Sequence, residues 1–278
     1  MQVADSALIN DGGDSRPVRA RSSMFAALKA MLRTLYALIL REARVRHGRS
    51  RIGYAWAVVE PFAVVSVMVL FFSAIDRGAN SVLAFPAFFA SGILPFQYFR
   101  HTSSFIGQSL EANKPLFNYP TVREFDAVLA RLVLESATYL IIMALVFSFL
   151  ITFLSADPPA HIGTMFIGFA GLGLLALGVG LNIAVLQRRF TMVNYVYNMI
   201  MAPSFFLSGV FFSIESVPPK FRDVLVWNPI LHGIETYRAG FYAVYPDTYV
   251  SLSYLCLFGL IALFIGMVQL KLSRRGES

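Results

Sequence analysis

Residues 127–154 read AVLARLVLESATYLIIMALVFSFLITFL, a run of 28 residues whose only charged side chains are Arg131 and Glu135. A helix needs about 20 predominantly apolar residues to cross the hydrocarbon core of a bilayer. This stretch is therefore long and apolar enough to be a membrane-spanning helix. Arg131 and Glu135 are four residues apart, so they can pair on one face of that helix.

Further apolar segments lie on both sides of this stretch. A short one, residues 83–99, contains Pro86 and Pro95, and the four longer ones are residues 54–75, 162–186, 192–213 and 249–270. Hydrophobic residues make up 57% of the chain and charged residues 14%, whereas a typical soluble domain is about 25% charged. The composition excludes a water-soluble globular protein. It predicts an all-α membrane protein with six transmembrane helices.

The basic residues are distributed unevenly across these predicted crossings. With an even number of crossings, 17 of the 23 Lys and Arg residues fall on one side and four on the other. Short cytoplasmic loops are enriched in Lys and Arg, so both termini are predicted to lie in the cytoplasm. This placement also accounts for the net charge of +7 without a nucleic-acid partner.

The segment before the first crossing divides into a tail, a helix and a basic stretch. Residues 1–23 are polar and are predicted to form a disordered cytoplasmic tail. Apolar residues recur at helical spacing over 25–40, so residues 24–53 are predicted to form an amphipathic interfacial helix followed by a basic entrance. This entrance favours anionic lipid or phosphate through Arg41, Arg44, Arg46, Arg49 and Arg51. Alternatively, these arginines only determine the topology of the first crossing.

Two predicted crossings carry side chains that a purely lipid-facing helix does not need. Glu60 precedes Pro61 in the first crossing, and an intramembrane carboxylate usually faces a bundle interior or a wet cavity. The segment 192–213 contains Asn194, Tyr195, Tyr197, Asn198, Phe205 and Phe206. Aromatic faces stack on the C–H surfaces of sugars and amides bond their hydroxyls, so this helix is predicted to contact carbohydrate. An aromatic belt at the lipid interface is the competing interpretation of Tyr195 and Tyr197.

The longest predicted external connection, residues 214–248, is too apolar for a plain loop. Two aromatic stretches within it, 221–227 and 230–244, are each too short to span the membrane, and Asn228-Pro229 separates them. Irregular backbone at membrane depth must be covered by protein or line a wet cavity. We therefore expect two short helices that are re-entrant or lie at the outer interface, and we expect this segment to form an external gate.

Three separated motifs now make a family resemblance visible. They are LREARVRHGRSRIGYAWAVVEP at 40–61, EANKPLFNYP at 111–120 and WNPILHGIETYR at 227–238. In this order they resemble the membrane subunits of bacterial polysaccharide ABC exporters of the ABC-2 type, and the capsular polysaccharide branch most closely. Exporters of O-antigen and of teichoic acid are similar enough to remain alternatives. The resemblance covers about residue 40 to the C-terminus and implies that residues 54–278 form a six-helix transmembrane domain.

The resemblance also implies partners and roles. It implies a homodimer bound to two copies of a separate ABC ATPase, which would hold the ATP and Mg, with no cofactor in this chain. A lipid-linked polysaccharide would pass along the first and fifth helices, and a periplasmic co-polymerase or adaptor would dock outside. A coupling loop would lie within residues 108–126 and the external gate within 214–248.

Three groups of residues are assigned to these roles. The substrate path comprises Tyr54, Trp56 and Glu60 with Asn194, Tyr195, Tyr197, Asn198, Phe205 and Phe206. ATPase coupling is assigned to Lys114, Asn118, Tyr119, Pro120 and Glu124. The external gate is assigned to Trp227, Asn228, His232, Glu235 and Arg238.

Two other classes of function remain open. An ABC-2 permease for drugs or lipids would share the helices, although the aromatic and amide residues of the fifth segment and the basic entrance weigh against it. A membrane enzyme would need a convergent acid–base or metal site, and His101 with Glu111 is the best candidate pair. The chain has no phosphate-loop motif, so the energy for uphill transport would come from another polypeptide.

Overall fold

The computed structural model describes residues 24–47, 84–119, 122–246 and 248–275, together with nine individual residues between 56 and 71. Within these residues the regular secondary structure is entirely helical, which confirms the all-α prediction for this part of the chain. The α-helices are α1 (Met24–His47), α2 (Ala84–Gly107), α3 (Ser109–Ala112), α4 (Glu124–Leu154), α5 (Ile162–Gln187), α6 (Val193–Leu207), α7 (Pro219–Leu225), α8 (Pro229–Phe241) and α9 (Leu252–Arg275). Short 3-10 turns cover Lys114–Asn118 and Ile214–Ser216.

Three helices of the described chain are long and apolar enough to cross a bilayer. They are Glu124–Leu154, Ile162–Gln187 and Leu252–Ser273, and they coincide with the predicted crossings at 127–154, 162–186 and 249–270. The tail at 1–23, residues 48–53 of the basic entrance and most of the first crossing lie outside the described residues. The nine described residues of that crossing are helical. Six transmembrane helices therefore remain a prediction.

Helix α2 is longer than the apolar segment predicted at 83–99. Pro86 lies in its first turn, where the missing N–H breaks no intrahelical hydrogen bond. The helix contains Pro95 and continues through polar residues to Gly107. It does so because this end packs against α5, where a Cβ on Gly180 would lie 2.7 Å from Cβ of Ile106. Close packing, rather than apolarity, keeps the polar end of α2 helical.

Helix α6 is shorter than the crossing predicted at 192–213. Its 15 residues span about 22 Å at 1.5 Å per residue, less than the roughly 30 Å of a hydrocarbon core. The chain leaves the helix at Ser208 and turns at Gly209, whose φ of +74° suits a residue without a Cβ. The backbone after Leu207 is therefore irregular, and its carbonyl groups need partners from elsewhere in the protein.

Helix α5 lies at the centre of the described helices, in contact with α2, α8 and α9. Glycines allow two of these approaches, since a Cβ on Gly168 would lie 2.8 Å from N of Tyr237, and one on Gly178 would lie 2.8 Å from O of Gly259. Small residues of this kind permit close helix packing in membranes. Helix α4 packs on α2 and on α1, which places α1 against the bundle.

Candidate functional site

A buried polar cluster joins α1 to α4 and to the segment that follows α3. Oε2 of Glu42 accepts a hydrogen bond from Nε of Arg131 at 3.1 Å, and Oε1 accepts one from Nδ2 of Asn113 at 2.7 Å. Arg131 also donates to O of Phe105 and lies 4.3 Å from the centroid of its ring. The ion pair between Arg131 and Glu42, which lie 89 residues apart in the chain, is a contact that the sequence did not indicate.

The described part of the predicted basic entrance contains a cavity of about 410 Å³ beside α1. It is lined by Ala37, Leu40, Arg41 and Arg44. Arg44 is exposed, while Nη1 of Arg41 also donates to Oδ1 of Asn113. The side chain of Arg46 and the whole of Arg49 and Arg51 lie outside the described residues. Two of the five entrance arginines are thus found at one cavity.

The predicted coupling loop is divided between exposed and buried residues. Lys114, Asn118 and Tyr119 are exposed on and just after the 3-10 turn, and Pro120 lies outside the described residues. Glu124 begins α4, is buried, and forms an ion pair with Arg188 at the end of α5. The loop after α3 and the loop after α5 are therefore joined directly.

These features all lie at one end of the molecule. The cluster around Glu42 joins α1 to the end of α2, and the Glu124–Arg188 pair joins the start of α4 to the end of α5. Leu270, near the end of α9, shares an apolar cluster with Ile106 and Val128. The segment before the first crossing, both connecting loops and the end of the last helix thus share one side of the bundle.

Helix α6 docks on α2 through part of the predicted substrate path. Oδ1 of Asn194 accepts a hydrogen bond from Oγ of Ser104 at 3.0 Å. The hydroxyl of Tyr197, a residue only 8% exposed, bonds Oγ of Ser103. Phe205 packs edge-on against Phe96, with ring centroids 5.2 Å apart. These three path residues are therefore turned towards α2.

The other side of α6 is uncovered in the described chain. Tyr195 is 68% exposed, and the neighbouring exposed side chains are Val196, Met199, Ile200 and Phe206. Trp56, the path residue of the first crossing that the structure describes, is also exposed, whereas Tyr54 and Glu60 lie outside the described residues. The structure thus separates Tyr195 from Tyr197, which the sequence had grouped together.

A polar cavity between α2 and α6 contains residues that the sequence interpretation missed. Its volume is about 230 Å³, and its lining residues are Arg100, His101, Ser104, Phe105, Gln108 and Asn198. Asn198 is the one that had been assigned to the path. Arg100 comes directly after the apolar segment predicted at 83–99, so it was not assigned to the path. Helical spacing places residues 100, 101, 104, 105 and 108 on one side of a helix, and this pattern could have revealed the polar face of α2 that lines the cavity.

Three of the five predicted gate residues lie in the protein interior. Nη1 of Arg238 donates to O of Gly209 at 2.6 Å, and Nη2 donates to O of Val210 at 2.7 Å. Glu235 pairs with Arg238 at 3.1 Å and accepts a hydrogen bond from the hydroxyl of Tyr245 at 2.8 Å. Arg238 therefore provides the partners that the irregular backbone after α6 requires.

His232 fixes α8 to the helices on either side of it. Its Nε2 lies 2.8 Å from O of Val226, and the N–H of Ser251 donates to Nδ1 at 3.2 Å. This arrangement requires the neutral imidazole with its proton on Nε2, and burial lowers the pKa of His232. Asn228 donates to Oγ of Ser208 at 2.9 Å. Trp227 is 76% exposed, so it alone of the five is largely accessible.

Comparison with known proteins identifies the family. The family model described as ABC-2 type transporter matches residues 33–242. The chain is 33% identical to the polysialic acid transport protein KpsM of Escherichia coli over 84% of this chain and 91% of that protein. It is 28% identical to the capsule polysaccharide export inner-membrane protein CtrC of Neisseria meningitidis serogroup B, over 92% and 97% of the two chains. It is also 28% identical to BexB of Haemophilus influenzae, a protein of the same description, over 88% and 92%. The chain therefore belongs to the ABC-2 type transporter family, and it is a membrane subunit of a transporter rather than an enzyme.

Proposed function

We propose that this chain is the permease subunit of an ABC exporter that moves a lipid-linked, capsular-type polysaccharide from the cytoplasm to the periplasm across the bacterial inner membrane. The observation that carries this proposal is the similarity, over most of the chain, to proteins named for polysialic acid transport and capsule polysaccharide export. Six transmembrane helices and two cytoplasmic termini complete the proposed arrangement.

In this proposal a separate ABC ATPase drives transport from the end of the bundle that carries the coupling loop. Exposed Lys114, Asn118 and Tyr119 form the docking surface. The buried pair between Glu124 and Arg188 makes the two connecting loops move together when the ATPase closes. ATP and Mg bind to the ATPase, and this chain needs no cofactor of its own.

The proposed substrate path follows the uncovered face of α6. Tyr195 and its exposed apolar neighbours have no covering helix in the described chain, which supports a homodimer with a channel between two copies. Tyr195 and Trp56 offer aromatic faces to passing sugars. Such contacts tolerate different sugars and hold each one weakly enough to release it. The basic cavity at Arg41 and Arg44 is placed to capture the anionic lipid end of the polymer.

The proposed external gate combines a fixed part and an exposed part. Helix α8 is held in the bundle by Arg238 and His232, whereas α7 exposes Phe221 and Val224, and Trp227 is exposed just after its end. We propose that α7 moves on α8 when polysaccharide leaves. The same exposed side chains are available to a periplasmic adaptor.

The test is deletion of the gene followed by complementation. The deletion strain should lose surface polysaccharide and accumulate glycan in the cytoplasm, and the wild-type gene should restore export. Tyr195→Ala should restore it poorly although the protein inserts normally. Phe264→Ala, which removes an equally exposed aromatic side chain from α9, should restore it fully.

Two results would contradict the proposal. Unchanged surface polysaccharide in the deletion strain would reject polysaccharide export, and full export by the Tyr195→Ala protein would reject the α6 path. Mass analysis of the accumulated glycan separates a capsular polymer from an O-antigen or a teichoic acid.

A further inference from the structure

The polar cavity between α2 and α6 contains the cationic side chain of Arg100. Arg100 lies seven residues before the end of α2, about 10 Å along the helix. No carboxylate among the described residues forms an ion pair with it. In the proposed six-helix arrangement this part of α2 lies in or at the edge of the membrane, where a charge without a partner is costly and marks a substrate or ion pathway. An anionic ligand in the cavity would therefore give Arg100 the charged partner that the described residues do not provide.

The remaining polar groups of the cavity offer acceptors. Nδ2 of Asn198 is used by O of Asn194 at 2.8 Å, and Nε2 of Gln108 approaches O of Ser104 at 3.4 Å. The Oδ1 of Asn198 and the Oε1 of Gln108 accept no hydrogen bond from the described part of the chain. Two amide oxygens next to one guanidinium fit a ligand that carries hydroxyl donors and one anionic group.

We propose that this cavity is a subsite for a single carboxylate or phosphate group on a hydroxyl-bearing unit of the substrate, with Arg100 binding the anion. The proposal rests on the proposed function, which brings a glycan along the uncovered side of α6, while the cavity lies where α6 meets α2. The volume of about 230 Å³ is below the roughly 300–1,000 Å³ of sites that enclose a whole small ligand. It therefore holds one unit rather than a length of polymer.

The anionic group has two possible sources, and each has its own probe. An acidic sugar of the polymer carries a carboxylate and no lipid, and a sialic acid oligomer is its probe. The lipid anchor carries a phosphate, and short-chain phosphatidylglycerol is its probe. A neutral maltose oligomer serves as the uncharged comparison. Binding of each is measured to the full-length chain in phosphatidylcholine nanodiscs at fixed ionic strength.

Wild type should bind at least one anionic probe and should bind it more tightly than the neutral oligomer. Arg100→Gln should weaken that binding about 10-fold to 100-fold, which corresponds to the loss of a hydrogen-bonded charge contact of about 1.5–3 kcal/mol. Arg100→Lys, which keeps the charge, should weaken it less. Arg189→Gln removes an exposed cation from the loop after α5 and should bind like wild type.

The proposal is overturned if wild type binds neither anionic probe, or if the Arg100→Gln and Arg189→Gln proteins bind both alike. Thermal unfolding of each variant shows whether a loss of binding is a loss of fold, and Arg100→Lys keeps the test valid if Arg100→Gln is unstable. The proposed function fails separately, when gene deletion leaves surface polysaccharide unchanged. Normal export with no effect of Arg100→Gln on binding rejects the subsite alone.

Discussion

At the scale of single residues, Arg238 explains how irregular backbone can lie inside this bundle. Its guanidinium donates to O of Gly209, Val210 and Phe212 and lies 3.8 Å from the centroid of the Phe88 ring. A buried carbonyl group without a hydrogen-bond partner would reduce the folding free energy by several kcal/mol. Glu235 balances the charge of Arg238. The motif at 227–238 thus includes residues that stabilise the turn after α6, whatever else they do in transport.

Room for this guanidinium depends on one glycine of α2. A Cβ on Gly92 would lie 2.3 Å from Nη2 of Arg238 and 2.8 Å from O of Val210. Gly92→Ala should therefore lower the free energy of unfolding by about 1–3 kcal/mol, the usual cost of overpacking. Thermal unfolding in detergent, followed by size-exclusion chromatography, measures the effect.

Gly163 is the matched control for this substitution. It lies in the first turn of α5, and a Cβ there would meet nothing within 4 Å. Since alanine favours helix over glycine, Gly163→Ala should leave the melting temperature unchanged or raise it. Equal melting temperatures for Gly92→Ala and wild type would show that the Arg238 site is not tightly packed.

At the scale of elements, apolar length predicted the long apolar helices α4, α5 and α9 but misjudged α2 and α6. Helix α2 continues past residue 99 because glycines of α5 admit its polar end, a property that its own sequence does not show. Helix α6 stops at Leu207 because the chain turns at Gly209, although the apolar segment predicted from the sequence continues to residue 213. Arg238 donates hydrogen bonds to the carbonyl groups that this turn leaves without helical partners. Both differences arise from partners distant in sequence.

The candidate site was predictable to a similar degree. The sequence identified the aromatic and amide residues of α6 as candidates for the substrate path, but it did not show which side of the helix each of them occupies. Tyr195 and Tyr197 differ by two residues, so they point about 200° apart around a helix, and only the position of α2 decides which one is covered. The contact of Arg131 with Glu42 was missed because Glu42 lies on another element.

The attachment of α1 is the element whose strength can be tested directly. Glu42→Gln keeps the shape of the side chain but removes the ion pair with Arg131, so α1 should open more readily by about 1.5–3 kcal/mol. Hydrogen exchange of the α1 amides should become about 10-fold to 100-fold faster. Arg33→Gln removes a charge from an exposed position of the same helix and should exchange like wild type. Equal exchange in both variants would show that the cluster does not hold α1.

At the scale of the whole molecule, the contacts sort the chain into two ends. At one end Glu42 accepts a hydrogen bond from Asn113, and Glu124 forms an ion pair with Arg188. His232 meets Ser251 and O of Trp227 accepts a hydrogen bond from Tyr254 at the other. The end with Glu42 is also the end to which the charge pattern assigns most of the Lys and Arg residues. Contacts and charge therefore agree on which of the described segments share a side.

Labelling of single cysteines measures the compartment of each side. Cys256 is the only native cysteine, so Cys256→Ala provides the background for Trp227→Cys and Asn118→Cys, which replace exposed residues at opposite ends. The positive-inside rule predicts that a membrane-impermeant maleimide labels Trp227→Cys in spheroplasts and Asn118→Cys in inverted vesicles. The chain is expressed without other subunits, so that an ATPase does not cover residue 118. Labelling of Asn118→Cys in intact spheroplasts would place the coupling loop outside the cell and would contradict an exporter driven from the cytoplasm.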